Sequence, residues 1–203
     1  LPAMSKQPAN DWLDKLAGRF IVFDGPDGSG KTTQFRRLAA AADGAGLDVL
    51  EVREPGGTPV GEKIRELLLD PAYAMTARCE MLLYMASRAQ LVDERIAPAR
   101  EQGGLVMADR FISSTLAYQG TAGGLDPGEI QRVGEIALRD NWPDLTIIFD
   151  VDEHTAASRL SPLLDRMEQK GVTYHRRVRQ GFLDQATADP DHYLIIDAAA
   201  DAD

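Results

Sequence analysis

An α/β fold, with a five-stranded parallel sheet and helices on both faces, is predicted by two features of the 203-residue chain. Five short apolar runs alternate with longer helical stretches, as strands joined by crossover helices do. None of the runs alternates clearly between apolar and polar residues, so each strand is expected to be buried on both faces.

Arg19 to Asp24 is the first strand, and it ends in a Gly-rich loop. Lys31 to Ala42 is helical, with Phe35, Leu38 and Ala42 at core spacing, until Gly44-Ala45-Gly46 stops it. Leu47 to Val52 is the second strand, and Glu54 to Pro59 a loop. Thr58-Pro59 opens a helix through Leu69, because Thr caps well and Pro suits the first helical position. A long helix is expected from Thr76 to Glu101, ended by Gly103-Gly104 before the third strand, Leu105 to Asp109. Ile112 to Gln119 reads as helix, Gly120 to Gly124 as loop, and Asp126-Pro127 as the start of a helix reaching Asp140. Leu145 to Asp150 is the fourth strand. A charged helical region runs from Thr155 to Ala188, broken near Ser161-Pro162, and His192 to Asp197 is the fifth strand. Leu1 to Gly18 reads as an N-terminal tail, with a helical turn near Asp11 to Leu16, before one domain over 19–203.

Hydrophobic residues make up 44% and charged residues 27%, a globular balance that excludes global disorder. Lys and Arg number 22 against 32 Asp and Glu, for a net charge of −10. Such a chain is a poor non-specific ligand for nucleic acid or anionic membrane, so an anionic substrate must be met by a local cluster of cations. No apolar run is long enough for a membrane-spanning helix, and the tail lacks the features of a signal peptide. The single cysteine, Cys79, fits a reducing, cytoplasmic setting and is expected in the core. His154, His175 and His192 lack metal-ligand spacing. Arg176-Arg177-Val178-Arg179 reads as a solvated helix face, and Met75, Met81, Met85 and Met107 as core.

Gly25-Pro26-Asp27-Gly28-Ser29-Gly30-Lys31-Thr32 fits G-x-x-x-x-G-K-[ST] in full, between the first strand and the first helix. In such a P-loop the glycines turn successive N–H groups inward around phosphate oxygens, and the helix adds its positive end. Lys31 reaches the terminal phosphates, and the Thr32 hydroxyl suits Mg²⁺. The loop residues Gly25 to Thr32, with Thr33, are therefore the ATP-binding candidates. The guanine-reading N-K-x-D motif is absent. Asp109 and Arg110 end the third strand with an anion for metal-bound water and a cation for phosphate. This pairing suits a small kinase whose two phosphorylated substrates face each other, although a surface ion pair would read the same way.

With this loop, Arg53-Glu54-Pro55-Gly56-Gly57-Thr58 and the run from Asp109-Arg110-Phe111 to Ala117-Tyr118-Gln119-Gly120, the chain resembles the thymidylate kinases over roughly Arg19 to Asp197. The resemblance implies a P-loop kinase with a short helical lid at about 159–168 that moves the γ-phosphoryl of ATP to dTMP, with Mg²⁺, as a homodimer. It assigns dTMP contacts to Asp27, Glu54, Arg65, Tyr84, Arg88, Arg110, Thr115, Tyr118 and Gln119. Tyr84 would stack on thymine and Arg88 bind the base or the phosphate, Thr115 and Gln119 would face the thymine edge, and Tyr118 would exclude a 2′-hydroxyl. Thr32 and Asp109 are the metal candidates. Asp165-Arg166-Met167-Glu168 matches the run that ends the lid, and Arg159 a basic position before it. The family either carries an Arg within the P-loop or places cations in the lid. Here the loop position is Gly28, and Leu160 to Leu164 holds no cation. Arg166, then Arg159, is thus expected beside the transferred phosphoryl, with Lys31, Arg110 and Asp27 completing the catalytic set. The family also continues past Asp197 into a last helix, whereas this chain stops soon after it. Two rivals remain at this point: a kinase for dUMP, UMP or a nucleoside, and a non-catalytic P-loop switch.

Overall fold

The computed structural model describes residues 12–159 and 166–199, so the tail through residue 11 and lid residues 160–165 lie outside the described residues. The strands are β1 (Phe20–Asp24), β2 (Val49–Arg53), β3 (Leu105–Asp109), β4 (Leu145–Asp150) and β5 (Tyr193–Asp197). They form one all-parallel sheet in the order β2-β3-β1-β4-β5. The helices are α1 (Lys31–Gly44), α2 (Pro59–Leu69), α3 (Ala77–Leu91), α4 (Ala97–Glu101), α5 (Ile112–Thr115), α6 (Pro127–Leu138), α7 (Glu153–Ser158) and α8 (Val172–Ala188).

The period-two geometry of a strand divides β1 between two cores. Phe20 and Val22 join Val52, Val106 and Ala108 beneath Met81, Met85, Ile130 and Leu138 of α3 and α6. Ile21 and Phe23 face the other way, with Met107, Ile147 and Phe149, against Phe35, Ala39 and Ala42 of α1. Phe23 stacks on Phe149 at 5.6 Å and meets Phe35 edge-on at 5.2 Å. A third cluster packs α8, through Val178 and Phe182, onto Ala117, Tyr118 and Ile148.

Several elements differ from the sequence reading. The edge strand β5 is not buried on both faces: Leu194, Ile195 and Ile196 are 48%, 45% and 38% exposed. The long helix does run to Glu101, but through a π-helical segment, Val92–Ile96, between α3 and α4. A second π-helical segment, Leu116–Ala122, replaces much of the expected loop after α5. Its Ala117 and Thr121 lie so close to Gly181 of α8 that a β-carbon there would clash, so tertiary packing holds the wide turn. The charged helical region separates into α7, a 3₁₀ turn at Glu168–Lys170, and α8. Cys79 is exposed, because it shares the outer stripe of α3 with the half-exposed Leu82, while Met81, Met85 and Arg88 face inward. Arg179 is not simply solvated: it donates to both oxygens of Asp150, at 2.6 and 2.8 Å. Leu13, in a 3₁₀ turn at Leu13–Leu16, is fully buried.

Candidate active site

The P-loop and the candidates for the dTMP site gather beyond the carboxyl ends of β1, β2 and β3, where ligands of open parallel sheets bind. The loop after β1 leads into α1, whose N-terminus has no side-chain cap, so its first amides remain for an anion. The Ser29 hydroxyl is buried there without a hydrogen-bond partner. Gly28 has φ +77°, and a β-carbon on it would strike the carbonyl of Ala156 in α7. A groove lies against this loop, lined by Ser29, Gly30, Thr33 and Arg37 together with Phe149, Arg159 and Ala198.

Across Lys31 lies a separate cavity of about 280 Å³. Its lining includes all nine residues assigned to dTMP, namely Asp27, Glu54, Arg65, Tyr84, Arg88, Arg110, Thr115, Tyr118 and Gln119. Lys31 and Asp109 line it as well, and the Thr32 hydroxyl donates to Asp109 at 3.3 Å.

Arg110 organises the near wall. Its backbone sits at φ +70°, a left-handed conformation that is uncommon outside glycine, and its N–H donates to Phe23 at 3.0 Å. The guanidinium reaches Asp24 at 3.2 Å, the Gly25 carbonyl at 3.0 Å, Ser114 at 3.0 Å, and Asp27. Burial alone would raise the Asp27 carboxyl, but Arg110, Lys31 and the Tyr118 hydroxyl outweigh it and hold it down to about 2. Burial, then the charge of Arg110, draws the Lys31 ammonium below its ordinary range. Bound phosphate oxygens would restore that charge. Tyr118 donates to Asp27 at 2.9 Å, and burial keeps its hydroxyl protonated.

The far wall rests on a fully buried ion pair. Arg88 donates to Glu54 at 2.8 and 2.6 Å and to Thr115 at 3.2 Å, with its guanidinium 5.0 Å above the Phe111 ring. Burial pushes the Glu54 carboxyl up to about 7, although Arg88 pulls the other way. Glu54 Oε1 has no partner. Arg65 caps the Pro55 carbonyl at 2.9 Å.

Two expected residues stand elsewhere. Arg166 donates to Glu80 at 2.5 Å and to the Leu68 carbonyl at 2.7 Å, and only its neighbours Met167 and Glu168 line the cavity. Arg159 donates to the carbonyl of Ala198 at 2.9 Å and lines the groove. Neither is placed between groove and cavity in this arrangement. Sequence reasoning missed Asp24, which is fully buried and accepts from Ser113 at 2.6 Å and Ser114 at 2.7 Å. A charge ending a buried strand was the available signal, since buried charges require partners.

A P-loop set between an open groove and a cation-lined cavity gives the chain the architecture of a P-loop kinase. The family model described as thymidylate kinase matches residues 23–203, and the chain belongs to that family. It is 47% identical over 190 residues to the thymidylate kinase of Deinococcus radiodurans, covering 92% of this chain and 91% of that one. Its identity to the thymidylate kinase of Thermomicrobium roseum is 46% over 182 residues, covering 88% and 86%. The crystal structure of thymidylate kinase from Ehrlichia chaffeensis superposes with a TM-score of 0.75 at 35% identity, covering 89% of this chain and 93% of that one.

Proposed function

We propose that the cavity holds dTMP and the groove holds ATP, so that the chain makes dTDP and ADP for dTTP synthesis. The carrying observation is that all nine acceptor candidates line one cavity that also meets Lys31. A P-loop acting only as a switch has no use for such a second site.

An oxygen of the dTMP phosphate attacks the γ-phosphorus, and the bond to the β–γ bridging oxygen breaks to release ADP. No general base is needed, because the attacking phosphate is already an anion. Lys31 and the uncapped amides of α1 cradle the donor phosphates. Arg110 holds the acceptor phosphate, and Asp24 and Asp27 fix the direction of its guanidinium. Arg88, locked by Glu54 and Thr115, forms a rigid wall for the base. Tyr118, packed beside Arg110, closes the sugar side. Arg166, turned to Glu80, anchors the Met167–Glu168 stretch that lines the cavity; Arg159 serves the donor groove.

The Thr32 hydroxyl and the Asp109 carboxylate are hard oxygen donors side by side, a set that suits Mg²⁺ with its retained waters. They would hold it, and the bound ion would neutralise charge on the donor phosphates. Exposed Val60 and Leu67 on α2, with exposed Leu82 on the adjoining α3, support a homodimer. Among the described residues no helix is long and apolar enough to cross a membrane, which is consistent with a cytoplasmic enzyme.

ADP release measured with dTMP, dUMP, UMP or no acceptor tests the reading. Rapid ADP formation with dTMP, matched one for one by dTDP, is expected. ADP formation that ignores dTMP would overturn it.

A further inference from the structure

Glu80 lies on α3 behind the acceptor cavity and does not line it. It is a buried carboxylate, only 1% exposed, that draws donors from three directions. Arg166 reaches Oε1 at 2.5 Å, and Lys170 spans Oε1 and Oε2 at 2.9 Å each. Gln119 donates its side-chain NH₂ to Oε2 at 3.1 Å. Burial alone would raise this carboxyl, but the hydrogen bonds from Arg166, Lys170 and Gln119 outweigh it and keep it ionised.

An ionised carboxylate only accepts hydrogen bonds. The Gln119 amide therefore cannot turn over without setting its carbonyl oxygen against the Glu80 charge. Gln119 is 1% exposed and lines the cavity, so the amide end not claimed by Glu80 matters to whatever binds there. The same carboxylate pins both ends of the Arg166–Lys170 stretch, from which Met167 and Glu168 line the cavity.

We propose that Glu80 is a positioning residue for acceptor selection, holding Gln119 so that the amide offers a carbonyl oxygen to the bound base. A pyrimidine whose ring nitrogen carries a hydrogen, as in thymine or uracil, donates to that oxygen. Cytosine presents a bare ring nitrogen, and two acceptors then face each other. The inference rests on the reading of the cavity as the dTMP site.

The test is calorimetric binding of dTMP, dCMP and ATP to the full chain, with Glu80→Gln and Glu80→Asp beside the unchanged protein. A neutral amide at position 80 both donates and accepts, so Gln119 becomes free to turn. Glu80→Gln should weaken dTMP about tenfold and leave dCMP unchanged or tighter, because one buried hydrogen-bond match is lost for only one base. Affinity for ATP should stay within about twofold, since the donor groove contains neither residue. Glu80→Asp keeps the charge for Arg166 and Lys170 but draws the carboxylate back from Gln119. It should narrow the dTMP/dCMP ratio in the same direction, and it serves if Glu80→Gln does not fold. A purely structural Glu80 would weaken both nucleotides together, and an unchanged ratio in the folded variants overturns the proposal. Failure of the unchanged protein to bind dTMP would instead overturn the reading of the cavity.

Discussion

Lys31 is 8% exposed, lies within 4.0 Å of Asp27 and lines the cavity. Its burial is tolerable because Asp24, Asp27 and Asp109 surround it. Lys31→Ala should therefore abolish phosphoryl transfer while circular dichroism and melting temperature stay near native; near-native turnover would remove Lys31 from the phosphate cradle. Glu54 makes a pH prediction of its own. Its folded pKa of about 7 lies above the ordinary 4.5, so between those values the folded state binds more protons than the unfolded one. Stability from this group is complete below the ordinary pKa and declines as pH rises through the folded one. Melting curves of Glu54→Gln should lose that decline relative to the unchanged protein, and parallel pH profiles would refute it. For Tyr118, truncation to Ala removes both the ring over Arg110 and the hydrogen bond to Asp27. The ratio of kcat/KM for dTMP over UMP should fall at least several-fold, because a shape barrier is lost. An unchanged ratio would exclude Tyr118 from sugar selection.

Elements were more legible than the contacts between them. Thr58-Pro59 announced α2, and the Thr58 hydroxyl does accept from the Gly61 N–H at 2.9 Å. Thr58→Ala should cost about 1 kcal/mol in urea unfolding, the usual worth of an N-cap. The P-loop was readable because its chemistry is local: glycines, Lys31 and Thr32 are contiguous. The cavity draws on the loop after β1, the start of α1, the ends of β2 and β3, α2, α3, α5 and the turn after it, and the stretch before α8, and only family likeness linked those positions. The partner that buries Arg88, Glu54, lies 34 residues away, so no local pattern shows the pair. Cys79 misled because apolar neighbours in sequence lie on opposite stripes of one helix. The π-helical turn at Leu116–Ala122 left no local mark, since packing against Gly181 imposes it.

At the scale of the molecule, charge is divided rather than uniform. The chain carries −10 overall, yet Lys31, Arg53, Arg65, Arg88 and Arg110 converge on one cavity. Two of these, Arg88 and Arg110, already answer the buried carboxylates Glu54 and Asp24. The binding surface is thus assembled before substrate arrives, and its cations are oriented by fixed anions rather than by water. Added salt should raise the KM for dTMP only modestly, because buried pairs are screened far less than surface charges. A steep loss of dTMP affinity between low and physiological salt would show that an exposed charge dominates instead.

The seam between Gly28 and Ala156 constrains anyone who would redesign this catalyst. Transplanting a basic side chain into the loop looks like a one-codon change that supplies the cation position 28 lacks. The recipient backbone is left-handed there, and the carbonyl of α7 occupies the space where the first side-chain carbon would go. Gly28→Arg alone should slow turnover rather than speed it. A workable graft would have to carry the loop and the start of α7 together, as a matched pair of parts.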